Sequence, residues 1–162
     1  MRLKDKLYDK AIQAANTALE KTPNHRGAIM CKALVFISQK TYPEANEELN
    51  YLINFLEKNI QDDDLTGIGT LAAAYANRGI IKDRKENYEG ALEDYLKAIK
   101  IDEEAVGGPG FGTVILNYKF KSSSVKKRAI YIYEQLQLPE NDRVLKIKAL
   151  DEGQVMHKPG KL

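Results

Sequence analysis

A single cysteine, Cys31, stands among the 162 residues, which excludes an internal disulfide and any cysteine-based zinc cluster. It lies in the apolar stretch IMCKALVFI and reads as a small hydrophobe of the core. There are only two histidines, His25 and His157, far apart and each beside turn residues, and neither fits a catalytic or metal-binding motif. No run of 18 apolar residues occurs, and the opening MRLKDKLYDK is too charged for the apolar segment of a secretory signal. That pattern predicts a cytoplasmic protein without a membrane partner. Strand-like alternation reaches only the four residues IYIY, whose flanks keep helical spacing, so no strand is predicted. No serine, histidine and carboxylate set emerges, and no two carboxylates share an apolar wall as an acid and base would need. Neither an enzyme nor a cofactor is therefore expected.

What is present suits one globular domain or one stack of small units. Apolar residues make up 43% and charged residues 30%, unlike the composition of a disordered tail. A chain of this length buries about two-thirds of its unfolded surface. The net charge of +2 hides an asymmetry: residues 1–104 carry net −3 and residues 105–162 net +5. The C-terminal third is the basic end, yet modest beside the footprint of a typical nucleic-acid binder.

Helical periodicity dominates, with punctuation at turns. Leu3, Leu7, Ala11, Ala15, Ala18 and Leu19 form a stripe that ends near KTPN, where Pro23 and Asn24 stop the helix. RGAIMCKALVFISQK is a second helix. Thr41 is placed to cap a third, with Pro43 tolerated in its first turn and Ala45, Leu49, Leu52 and Leu56 on its stripe. QDDDLTG breaks the chain before a helix bearing Leu65, Ile68, Ala72, Tyr75 and Gly79. KDRKEN turns into YEGALEDYLKAIKID, the glycine stretch VGGPGFG leads to TVILNYKFK, and SSS, with Ser124 as a cap, leads to VKKRAIYIYEQLQ. Pro139 opens a final predicted helix over PENDRVLKIKALDEG, and residues 154–162 read as a frayed tail.

Self-comparison exposes a repeat. YDKAIQAANTALEKTPN aligned with YEGALEDYLKAIKIDEE pairs Tyr8 with Tyr88, Ala11 with Ala91, Ile12 with Leu92, Ala18 with Ala98 and Leu19 with Ile99. The same phase places Tyr42, Ala45, Leu49 and Leu52 in another copy, and Ala129, Tyr133 and Leu136 in a further one. AYANRGIIKDRKENYEGALEDYLKAIKID resembles a tetratricopeptide repeat along its length: Tyr75 is the early bulky residue, Gly79 the small crossing point, Ala91 and Ala98 the small residues of the second helix, Tyr95 its aromatic. Two helices pack closely only where small residues let their axes approach, so these positions are core.

The resemblance implies an all-α stack of antiparallel helix hairpins, a tetratricopeptide-like α-solenoid over residues 1–153. The expected hairpins are 1–24 (partial), 26–60, 65–104 and 110–138, followed by a capping helix over 139–153. Repeats start near Arg26, Ala72 and Gly110, and the first step is long by 12 residues, about six on each helix meeting at QDDDLTG. At a rise of 1.5 Å per residue that hairpin should protrude by about 9 Å. Its aspartates lack the spacing and closing glutamate of a calcium loop and read as breaking and capping residues, so no metal is expected. GGPGFGT lacks the lysine and leading strand of a phosphate loop and reads as a hinge between repeats.

In this family the first helix of each pair lines a concave groove that commonly takes a peptide or partner segment. By repeat phase the groove residues are Met30, Leu34, Ile37, Ala73, Ala76, Asn77, Ile80, Arg84, Phe111, Val114, Tyr118 and Lys121. Only Asn77 matches the pattern that clamps a terminal carboxylate, whereas the mostly apolar lining predicts an apolar or amphipathic protein partner. An alternative is a groove filled by the chain itself through Val144, Leu145, Ile147 and Leu150. Another is self-assembly into a homo-oligomer through the incomplete first repeat. A third uses Lys119, Lys121, Lys126, Lys127 and Arg128, with Tyr118 and Phe120 between them, on nucleic acid; the modest basic charge disfavours it.

Overall fold

The computed structural model describes residues 3–102 and 125–148, and every regular element among them is helical. Helix α1 spans Leu3–Lys21, α2 Arg26–Gln39, α3 Tyr42–Asn59, α4 Leu65–Arg84, α5 Tyr88–Ile101 and α6 Val125–Leu136, and a 3-10 turn covers Glu140–Asp142. Each helix packs mainly on its neighbours in the sequence, with α5 packed against α6. That order defines a helical stack rather than a bundle with long crossovers. Among the described residues no helix is long and apolar enough to cross a membrane.

Side chains cap the starts of three helices. His25 Nδ1 accepts the Ala28 N–H at 3.1 Å, Asp64 the Gly67 N–H at 2.8 Å and Asn87 the Gly90 N–H at 3.0 Å. Thr41 departs from this pattern. With Pro43 at the second helical position one amide is absent, and the Thr41 hydroxyl instead donates to the Phe36 carbonyl at 3.2 Å, closing the end of α2. Helices α3 and α4 have 18 and 20 residues against 14 each for α2 and α5, the excess expected at QDDDLTG. Leu65, expected on the α4 stripe, is exposed in the first turn of that helix.

Asp64 ties this tip down. Arg26 at the start of α2 donates to its carboxylate at 2.5 Å, so α2 and α4 begin at the same end of the stack. The Gly67 hydrogen bond holds the Asp64 carboxyl below its ordinary value of 3.8, and Arg26 adds to the effect. A depressed value in the folded state means the contribution is complete above 3.8 and is lost as pH falls through the folded value. Acid should therefore release the first turn of α4, seen as a lower protection factor for hydrogen exchange at the Gly67 amide. Asp64→Ala should release it at neutral pH, and Asp64→Asn should not. A Gly67 amide equally protected in Asp64→Ala would remove this assignment.

The core follows repeat phase. Tyr75, Ala91, Tyr95 and Ala98 are buried, and a Cβ built on Gly79 would lie 2.6 Å from Tyr95 Cε1, so the crossing of α4 and α5 requires glycine. Arg78 grips Asp94 through Nε and Nη2, both at 2.8 Å, and Lys82 joins at 2.9 Å, adding a polar clasp beside that crossing. Burial first, and a hydrogen bond to Glu57 second, push the Tyr75 phenol up to about 12. In α6, Ala129 is buried as expected but Tyr133 is exposed, and Ile132 takes the inward place. Cys31 is half-buried, since it sits on the flank of α2 between the buried Met30 and the salt-bridged Lys32.

The capping helix predicted from Pro139 does not form over residues 139–147. Pro139 and the 3-10 turn are followed by non-helical backbone through residue 147. The amide of Val144 and the carbonyls of Val144 and Leu145 are bonded by side chains of α6, so this backbone has partners without an intrahelical ladder. Ser124, the glycine stretch, the predicted helix TVILNYKFK and the tail 154–162 lie outside the described residues.

Candidate interaction surface

Helices α2 and α4 bring together most of the predicted groove residues, but they do so inside the molecule. Met30, Ile37, Ala73, Ala76, Asn77 and Ile80 are each at most 2% exposed. The inward side of α2 and α4 is thus part of the core. Small side chains explain why it closes: alanines at 73 and 76 let neighbouring backbone approach without a cavity. Leu34 and Arg84 are half-buried and stand at the margin of this face. Phe111, Val114, Tyr118 and Lys121 lie outside the described residues.

Asn77 cannot present a carboxylate clamp in this arrangement. Its side chain is wholly buried, and Nδ2 donates to the Met30 sulfur at 3.5 Å, joining α4 to α2. Of the segments expected to fill the face, Leu145 packs against the core and Ile147 is half-buried, but Val144 points away at 58% exposure. Leu150 lies outside the described residues.

The strongest electrostatic feature lies where α4 ends. Asp83 is buried and accepts two hydrogen bonds from Arg128 of α6, Nε at 2.8 Å and Nη2 at 2.7 Å, together with the Tyr95 hydroxyl of α5 at 3.1 Å. One carboxylate thus joins three helices. Arg128 Nη2 also donates to the Leu145 carbonyl at 2.9 Å, and Lys146 pairs with Glu86 in the turn after α4. Arg128, grouped with the basic stretch as a phosphate contact, is 2% exposed and serves Asp83 instead. Of that stretch only Lys126 and Lys127 are exposed among the described residues.

Sequence reasoning missed this junction. The available signal was a charged residue in each buried stripe: Asp83 follows Ile80 by three positions, and Arg128 sits beside Ala129. Charged residues at core phase are rarely buried without a partner, which would have prompted a search for one. Their separation of 45 residues removes any local pairing signal.

The geometry therefore defines a helical-repeat protein with an internally closed face and a polar junction at one end. In sequence it is similar to the mouse (Mus musculus) DnaJ homolog subfamily C member 7, with 31% identity over 102 residues, covering 59% of this chain and 20% of that relative. The chain thus spans about a fifth of the length of the curated relative it matches. No family model matches the chain, and no solved structure matches it significantly. The helix order by itself gives an all-helical stack of neighbouring helices.

Proposed function

We propose that the chain is a non-catalytic protein-interaction module that takes a peptide or amphipathic segment of a partner protein at the margin of the face formed by α2 and α4, with Phe111, Val114, Tyr118 and Lys121 as further candidate contacts. The partial likeness to a DnaJ homologue supports a role in protein contacts. What supports the reading is the margin of that face, where Leu34 and Arg84 stay half-exposed beside the closed core of Met30, Ala73, Ala76 and Ile80. Leu34 and Arg84 are where a partner would make contact.

Because the buried alanines cannot accept a charge without unfolding, the test belongs at the margin. Leu34→Glu should cut capture of partner proteins from the source lysate by about tenfold or more, equivalent to roughly 1.4 kcal/mol, with its thermal midpoint close to wild type. A crosslinking residue at Arg84 should mark the same partners. Full capture by a folded Leu34→Glu protein would refute the assigned face.

Self-assembly is the second reading, favoured by Leu7, which is 58% exposed on α1. Light scattering on the same samples separates the two readings. A dimer lost in Leu7→Glu, with partner capture unchanged, would assign α1 to self-contact and leave the margin of α2 and α4 to the partner.

A further inference from the structure

We infer that one side of α6 is a binding track for an extended peptide, and that residues 143–146 of this chain occupy it in cis. Arg128, Tyr131 and Gln135 recur at three- and four-residue steps and so share one side of the helix. All three address main-chain atoms of the same short segment. Arg128 donates to the Leu145 carbonyl at 2.9 Å, the Tyr131 hydroxyl donates to the Val144 carbonyl at 2.6 Å, and Gln135 Oε1 accepts the Val144 N–H at 2.7 Å. A peptide held through its backbone can be replaced by another with the same extended course, since those groups occur at almost every residue.

Side chains then set which segment fits. Leu145 packs against the core, and Lys146 pairs with Glu86. Arg143 donates to the carbonyls of Leu138 at 2.9 Å and Leu136 at 3.2 Å, where α6 ends and its last carbonyls lack helical partners. Val144 faces solvent. The track therefore selects a basic residue, any residue, an aliphatic residue and a second basic residue. The partner assigned to it is an extended segment of another protein with that order.

The cis occupant is built to leave. Residues 143–147 belong to no helix or ladder, the Lys146 side chain is 68% exposed, and Leu145 is only partly buried. Such segments open locally without global unfolding. While the strap is docked, the apparent affinity for a competing peptide falls in proportion to the open fraction. None of these residues belongs to the inward face of α2 and α4, so the inference stands whether or not that face takes a partner.

The test uses the full chain and a fluorescein-labelled peptide with the sequence of residues 139–148, read by fluorescence anisotropy. Lys146→Glu sets like charges opposite Glu86 at an exposed position, and Leu145→Asp removes the apolar anchor; circular dichroism checks that each is folded. Against the wild type, Lys146→Glu should bind the peptide at least about tenfold tighter as the open fraction rises. Adding Gln135→Ala or Tyr131→Phe should reverse the gain, and a scrambled peptide should not bind. Should Leu145→Asp fail to fold, Lys146→Glu decides alone. Equal binding by wild type and Lys146→Glu, or binding indifferent to Gln135→Ala, would overturn the track. A wild-type dimer that the peptide dissolves would overturn the trans partner and assign the site to strap exchange between two copies.

Discussion

Arg128→Ala is expected to destabilise the protein by about 3–5 kcal/mol, because it leaves the Asp83 carboxylate in the interior without its cation. The arginine side chain is 2% exposed and the aspartate 0%, so water cannot replace the missing partner. The same burial predicts that added salt changes this loss little, unlike that of a surface pair. The charge, and not the arginine's bulk, carries the effect. The double variant Asp83→Asn/Arg128→Met removes both charges while keeping volume, and should recover most of the stability. Urea unfolding of the three variants beside wild type measures it through the transition midpoint. A loss under about 1 kcal/mol for Arg128→Ala would mean that water reaches the Asp83 carboxylate in the variant.

Gly79→Ala tests the second point on which the stack turns. Alanine gains up to about 1 kcal/mol of helix propensity over glycine, and on that ground alone α4 should become more stable. The added Cβ, however, would lie 2.6 and 2.7 Å from Tyr95 Cε1 and Cδ1 and 3.3 Å from the Ala91 carbonyl oxygen. The Tyr95 ring is wholly buried and its hydroxyl is tied to Asp83, so it cannot swing aside. Overpacking of this kind costs about 1–3 kcal/mol, occasionally more, and here it should outweigh the propensity gain. Tyr95→Leu would relieve the contact. Gly79→Ala and Tyr95→Leu combined should therefore destabilise by less than the sum of the two singles in a double-mutant cycle. Strict additivity would show that the close approach is not what demands glycine.

These two sites mark the limit of what was legible in the sequence. Gly79, Ala91, Tyr95 and Ala98 were readable because helix packing imposes a regular spacing of small and large residues, and the six described helices fell between the expected turn residues. The course of residues 139–147 was not readable. Its pattern is compatible with a helix, but hydrogen bonds donated by Arg128 and Tyr131 and accepted by Gln135 hold it in another conformation, and no local propensity encodes such partners. Thr41 failed for a local reason that could have been seen: Pro43 removes one of the amides that its hydroxyl would cap. The candidate lining was identified as one face, and Met30 and Asn77 do meet on it, but periodicity alone does not say whether a buried stripe faces a partner or the chain itself.

The junction at Asp83 also gives the stack a direction of unravelling. Helix α1 packs mainly on α2 and carries Leu7 in solvent, whereas α6 packs on α5 and is fastened back to α4 across 45 residues. In a quasi-one-dimensional array the end that lacks such a buried tie peels first. The amides of α1 should thus exchange by fraying while those of α4 and α5 wait for the whole molecule to open, so the protein unzips from its N-terminal helix toward a C-terminal knot.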